Sequence, residues 1–135
     1  MSNSKIAIRW SIIDNNGNKI VLKENTMTEH IINDHSSKDS EVRAEVESQI
    51  PYVLKRPALI VKDERLNSRI DYIGIVLLDK DEETYSLKNV IVVVDTAFSP
   101  WEVVTWFASR STTVKKRGVI YDYKKNIDEG YLQKV

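Results

Sequence analysis

Residues 57–78, PALIVKDERLNSRIDYIGIVLL, contain the change of pattern that decides the fold. Two apolar runs, 59–61 and 70–78, are rich in Ile, Val and Leu, and a polar segment, 63–68, separates them. Runs of β-branched residues bounded by turn-forming polar residues are typical of strands. The sequence before Pro57 has helical spacing instead, so we expect the chain to change from helix to sheet at this proline.

Upstream of Pro57 the sequence predicts a hairpin followed by two helices. Asn-Gly at positions 16–17 lies between apolar runs, which is the strongest short-range hairpin signal. The segment 26–29, Thr-Met-Thr-Glu, is a capping-box pattern that begins a first helix. A second helix is expected from about Glu41, with apolar residues three and four positions apart, and Pro51 is expected to kink or end it.

Downstream of Pro57 the links between apolar runs are short. Strands predicted at 90–94 and 103–107 follow the two in the opening stretch, and 119–121 is a short strand after a glycine. Links of this length cannot contain crossover helices, so neighbouring strands should run antiparallel. We therefore expect an α+β fold, in which an N-terminal hairpin and two helices pack on an antiparallel meander sheet of four to five strands.

Composition limits the class of protein. With 41% hydrophobic residues in 135, the chain can form one compact domain over 1–135. The absence of cysteine excludes disulfides and thiol nucleophiles, and no apolar run is long enough to span a membrane, so we expect a soluble cytoplasmic protein without a membrane partner. Basic and acidic residues balance at 20 each, but from about residue 110 seven basic side chains outnumber three acidic ones, which predicts a basic C-terminal tail.

Both histidines, His30 and His35, fall on the first predicted helix. Imidazole acts as an acid or a base near neutral pH, so the pair indicates a candidate site. Helical spacing puts His35 on the apolar stripe of Met27 and Ile31, so it should be the more buried of the two. A purely structural pair of histidines fits the same pattern. We expect no metal site, because the spacing does not suit two ligands from one helix turn and no third His or Cys exists.

Cations and a hydroxyl on the predicted strands supply the other side chains of a candidate site. Arg69 and Tyr72 lie at the start of the second strand, Lys88 at the start of the third, and Thr105 within the fourth. A cation beside a hydroxyl suits a phosphate oxygen, although threonine is also an ordinary strand residue and the basic tail is also typical of a solvated loop. The candidate substrate-binding cations are Lys88, Arg65, Arg110, Lys115, Lys116 and Arg117.

The order of these features resembles the phage-associated Barnase, EndoU, Colicin and RelE-like nucleases. The resemblance covers roughly residues 5–110. It is carried by Glu29-His30-Ile31, His35, Pro57-Ala58-Leu59-Ile60, Arg69-Ile70-Asp71-Tyr72, Val90 to Val94 and Val103-Val104-Thr105. At the second histidine the sequence departs from the family pattern, with Asp34-His35-Ser36 where Arg-His-Pro is usual.

The resemblance implies a metal-independent ribonuclease that needs no cofactor. A base would remove the ribose 2′-hydroxyl proton, the oxygen would attack phosphorus, and an acid would protonate the leaving 5′-oxygen. The catalytic groups that the resemblance implies are His30, His35, Arg69, Tyr72 and Thr105.

RNA is therefore the expected partner. A phage or mobile-element origin of the toxin type would bring an antitoxin or immunity protein as a second partner. Two alternatives stay open: a catalytically inactive module of the same fold that binds nucleic acid or protein, and a structural protein whose exposed aromatic residues bury against another chain.

Overall fold

The computed structural model describes residues 7–27, 46–79, 85–109 and 118–123. Within them a 3₁₀ turn, Glu47–Gln49, leads into one α-helix, α1, and seven strands form a single sheet. The elements are β1 Ile8–Ile13, β2 Lys19–Lys23, α1 Ile50–Lys55, β3 Leu59–Lys62, β4 Arg69–Asp79, β5 Tyr85–Asp95, β6 Trp101–Ser109 and β7 Val119–Asp122.

The sheet is mixed, with strand order β1-β2-β6-β5-β4-β3-β7. β2 runs parallel to β6, with Ile20 opposite Trp101, and every other neighbouring pair is antiparallel. The predicted fold class, two helices on an antiparallel sheet of four to five strands, is therefore wrong. The hairpin joins the sheet through a parallel pairing between segments distant in sequence, and β7 extends the sheet beyond β3, neither of which local spacing encodes.

The described residues include only part of the region predicted to be helical. Residues 24–27 form a helical turn after β2, and the rest of the first predicted helix, with the start of the second near Glu41, lies outside the described residues. Pro51 does not end a helix. It lies in the first turn of α1, where its missing N–H leaves no hydrogen bond unmade.

The core lies between α1 and one side of the sheet. α1 contributes Ile50, Val53 and Leu54, which are buried against alternate residues of the central strands. Gly74 of β4 allows the close approach of the helix, because a Cβ atom there would lie 3.1 Å from both methyl carbons of Val53. The buried strand residues of this side include Ile60, Tyr72, Val76, Val90, Val92, Val94, Val103 and Trp106.

The opposite side of the sheet is called the open face here, and it carries Asp71, Ile73, Ile91 and Thr105. Its apolar part is a small cluster in which Ile91 packs against buried Leu59 and Ile73 of β3 and β4. Because successive strand residues point to opposite sides, Arg69, Asp71 and Ile73 of β4 all belong to this face. The open face therefore changes from apolar to charged along β4.

Candidate functional site

Two adjacent clefts lie on the open face, and both are lined by Arg69 and Thr105. The first, about 280 Å³, lies beside the β3–β4 turn and is called the hairpin cleft; Asp63 and Asp71 also line it. The second, about 430 Å³, lies beside the loop between β5 and β6 and is called the loop cleft; Phe98 is among its lining residues. Arg69 and Thr105 thus form the boundary between the two clefts.

Strand register explains why Thr105 lies on the same face of the sheet as Arg69 and Asp71. Asp71 lies opposite Val93 of β5, and Val93 lies opposite Thr105 of β6, so the three form a row across the sheet. The register shifts between β5 and β6 at Val93, where Val104 is the extra residue of a bulge. If the register of Glu102 and Val103 continued past this point, Val104 would lie opposite Val93 and Thr105 would turn into the core.

Arg69 is held by the carboxylate of Asp95. The Arg69 Nε atom lies 3.4 Å from Asp95 Oδ2, and the Ala97 backbone N–H donates to Asp95 Oδ1 at 2.9 Å. Burial raises the pKa of Asp95, but hydrogen bonds from Ala97, the Ser68 side chain and Arg69 outweigh it and hold the pKa below its usual value. Asp95 is therefore ionised at neutral pH. The Arg69 side chain stays 32% exposed, so its guanidinium remains accessible from the cleft.

The hairpin cleft also contains a pair of carboxyl groups, Asp63 and Asp71. Burial, followed by the hydrogen bond with Asp63 and the charge of Asp63, raises the pKa of Asp71 to about 7. Burial also acts on Asp63, but hydrogen bonds from the Arg65 N–H, the Asp71 carboxyl and the Leu66 N–H lower its pKa overall. Asp71 is therefore the protonated partner of the pair, and it titrates near neutral pH.

Sequence reasoning did not select Asp71 as a site residue. The signal was present, since an acidic side chain between Ile70 and Tyr72 interrupts an apolar strand two residues after Arg69. Its Oδ1 atom is buried and accepts no hydrogen bond from the part of the chain that the structure describes. A carboxyl group that is partly desolvated in a cleft is a common feature of functional sites.

The structure brings some of the predicted site residues together and not others. Arg65, Arg69 and Thr105 line the hairpin cleft. Tyr72 lies on the other side of the sheet, is fully buried, and donates a hydrogen bond to Asp14 Oδ2 at 2.5 Å. Burial and this hydrogen bond raise the pKa of the Tyr72 hydroxyl far above its usual value. Tyr72 therefore does not line either cleft.

The remaining predicted site residues lie away from the clefts or outside the described residues. The backbone of Lys88 pairs with Val76, toward the opposite end of the β4–β5 ladder from Arg69. The other predicted residues lie outside the described residues, and they are His30, His35, Arg110, Lys115, Lys116 and Arg117.

The described residues contain neither a cluster of metal ligands nor a membrane-spanning helix. No group of three or more acidic or histidine side chains there is placed to bind a metal ion. No helix there is long and apolar enough to cross a membrane.

Residues 6–122 match the family described as phage-Barnase-EndoU-ColicinE5/D-RelE like nuclease 2. The match covers most of the chain, including every described strand, and the chain belongs to this family of phage-associated nucleases. Comparisons with curated proteins and with solved structures find no significant match.

Proposed function

We propose that the protein is a metal-independent endoribonuclease that cleaves RNA at the boundary of the two clefts. One observation carries the proposal: Arg69 and Thr105, which lie on strands separated by β5, line the same two clefts of a nuclease-family sheet. A guanidinium and a hydroxyl that converge on one opening suit the oxygens of a phosphodiester.

Arg69 and Thr105 would act on the charge that develops during cleavage. When the 2′-oxygen attacks phosphorus, negative charge grows on the non-bridging oxygens. Arg69 would stabilise this charge, and the Thr105 hydroxyl would donate a hydrogen bond to one of these oxygens. The product would be a 2′,3′-cyclic phosphate together with a free 5′-hydroxyl.

Proton transfer needs groups that titrate near neutral pH. His30 is the proposed acid or base from the sequence, and it lies four positions after Thr26, which lines the loop cleft beside Thr105. Asp71, with a pKa of about 7, is a second group able to give or take a proton. An acid and a base each contribute on the order of 10²- to 10⁴-fold to such a reaction.

The test is cleavage of total RNA by the purified protein in EDTA. We expect 2′,3′-cyclic phosphate ends, with activity lowered about 10²-fold or more by His30→Ala and by Arg69→Gln. Thr105→Val keeps the shape of the side chain and removes only the hydroxyl, and it should also lower activity. The matched control is Arg56→Gln, which removes an exposed arginine outside the lining of both clefts.

The balanced overall charge, 20 basic and 20 acidic residues, favours a second candidate, a binding module that has lost catalysis. RNA that stays intact with the wild type would support that candidate instead, whereas variants that cut as fast as the wild type would show that the reaction does not use the substituted residues. Expression in a bacterium separates the two further, because an active ribonuclease of the toxin type should stop growth and the Arg69→Gln variant should not.

A further inference from the structure

Two exposed phenylalanines flank the Arg69–Thr105 boundary. Phe98 lines the loop cleft and is 48% exposed, whereas Phe107 lines the hairpin cleft and is 38% exposed. Exposed aromatic side chains in a cleft give flat apolar surfaces on which a nucleic-acid base can stack. Each cleft therefore has one aromatic surface and shares the same cation and hydroxyl.

The sheet fixes the position of Phe107. It lies two residues after Thr105 on the same strand and the same face, which puts their Cα atoms about 7 Å apart. Ile91 is directly opposite it on β5, and Ile73 is opposite Ile91 on β4. The ring thus continues an apolar row that runs across the open face, one step beyond the row that contains Thr105.

Phe98 is fixed on the other side by the loop between β5 and β6. The Thr96 N–H and hydroxyl both donate to the Ser68 carbonyl, at 2.7 and 2.6 Å, so the loop is bound to the residue before Arg69. The Asp95 carboxylate contacts both Arg69 and the Ala97 N–H, which adds a second attachment. Phe98 therefore lies beyond Arg69 as seen from Phe107. The Nζ atom of Lys23 lies over the Phe98 ring at 6.0 Å from the centroid, which leaves the opposite ring face for a base.

An aromatic ring on each side of a cation and a hydroxyl matches the chemistry of two consecutive nucleotides. Unpaired bases stack on aromatic side chains, and the phosphate between them binds cations and hydroxyls. A duplex offers no free base face, because its bases are already stacked on each other. The arrangement therefore favours an unpaired strand.

We propose that the hairpin and loop clefts bind two adjacent unpaired nucleotides of single-stranded RNA, with their bases stacked on Phe107 and Phe98 and the phosphate between them at Arg69 and Thr105. This inference rests on the proposed function for the choice of RNA as the ligand. It adds the class of substrate, a single strand rather than a duplex, and two specific subsites.

The test measures binding separately from cleavage. A fluorescent single-stranded oligonucleotide with fluorine in place of every 2′-hydroxyl cannot undergo 2′-attack, and its affinity is measured by anisotropy. Phe98→Leu and Phe107→Leu keep apolar bulk but lose the aromatic face, so each should weaken binding roughly 5- to 100-fold. Phe98→Trp should bind as well as the wild type. Tyr52→Leu is the matched control, since Tyr52 is an exposed aromatic residue on α1.

The outcomes separate the two proposals. The subsite proposal is overturned if the wild-type protein does not bind the single strand or binds the matching duplex equally well. It is also overturned if the wild type binds no better than the two Leu variants. Loss of affinity in both Leu variants, with wild-type melting temperatures, supports them. If affinity depends on the phenylalanines but the wild type does not cleave RNA in EDTA, the ribonuclease proposal fails and the subsites remain.

Discussion

The carboxyl group of Asp71 donates a hydrogen bond to the carboxylate of Asp63 across the β3–β4 hairpin. Burial, followed by this hydrogen bond and the charge of Asp63, raises the pKa of Asp71 from an ordinary value of 3.8 to about 7. The charges of Arg65 and Arg69 act in the opposite direction but are smaller. The folded protein therefore holds a proton at pH values where the unfolded chain has released it.

This proton makes stability depend on pH. An acid whose pKa is raised by folding stabilises the protein fully below pH 3.8, and the stabilisation is lost as the pH rises to about 7. Asp63 has the opposite dependence, but its contribution is lost only under more acidic conditions. Between pH 5 and 8 the dependence on Asp71 should thus dominate for this pair.

We expect Asp71→Asn to flatten the pH dependence of stability. Because Asp71 is partly exposed, solvent screening reduces the effect to on the order of 1 kcal/mol, or a few degrees in melting temperature. Thermal melts at pH 5, 6, 7 and 8 compare the two proteins. The wild type should lose more stability than the variant over this range, and parallel curves would show that Asp71 does not hold the proton.

Tyr72 is expected to matter for stability rather than for activity. Its hydroxyl donates to Asp14 Oδ2 at 2.5 Å, and the other Asp14 oxygen accepts from the N–H groups of Asn16 and Asn18 in the β1–β2 turn. Removing the hydroxyl leaves a buried carboxylate with one donor fewer. Loss of a hydrogen bond to a charged group costs about 1.5–3 kcal/mol.

The test substitution is Tyr72→Phe, with Tyr52→Phe as the exposed control. Urea unfolding should show the loss of stability in Tyr72→Phe alone. Any nuclease activity per folded molecule should stay at the wild-type level, because the hydroxyl faces away from both clefts. A variant with wild-type stability and reduced cleavage would place Tyr72 in the reaction after all.

The contact between Gly74 and Val53 sets the distance of α1 from the sheet. A Cβ atom added at Gly74 would lie 3.1 Å from both methyl carbons of Val53, which is tighter than most Cβ contacts and would require Val53 to shift. Gly74→Ala should therefore destabilise the protein by about 1–3 kcal/mol. Val53→Ala should also destabilise it, by leaving a cavity.

The double variant distinguishes this contact from a general effect of each substitution. The added methyl group at position 74 would occupy space that Val53→Ala vacates, so the double variant should be more stable than the sum of the single losses implies. Free energies of unfolding of all four proteins give the coupling. Additive losses would mean that the two side chains do not compete for the same space.

The positions of the strands were accessible from local sequence, but their arrangement was not. The run predicted at 59–61 lies within β3 and that at 103–107 within β6, because short runs of β-branched and aromatic residues between polar turns are typical of strands. The parallel pairing of β2 with β6 depends on contacts between distant segments. Spacing along the chain contains no information about such a neighbour, so the fold class predicted from it is wrong.

The candidate site could likewise be predicted only in part from the sequence. Arg69 and Tyr72 are three positions apart on one strand, so alternation alone would have placed them on opposite faces, as the structure does. Thr105 is different, because alternation from Glu102 and alternation from Phe107 assign it to opposite faces, and the bulge at Val104 reconciles the two. No glycine marks this bulge in the sequence, so it is identified only from the pairing register of β5 and β6.

Asp95 is expected to act on the proposed reaction through Arg69. The carboxylate contacts Arg69 Nε at 3.4 Å and is only 7% exposed in the wall of the loop cleft, so its main contact is with the guanidinium that it orients. Asp95→Asn keeps an oxygen for the Ala97 N–H and removes the charge that faces Arg69. We expect kcat/KM for RNA to fall about tenfold, equivalent to about 1.4 kcal/mol of transition-state stabilisation.

In an Arg69→Gln background the same change should cost little more, because the group that Asp95 orients is already gone. Kinetics of the wild type, both single variants and the double variant give the coupling, and equal losses in both backgrounds would show that Asp95 acts independently of Arg69.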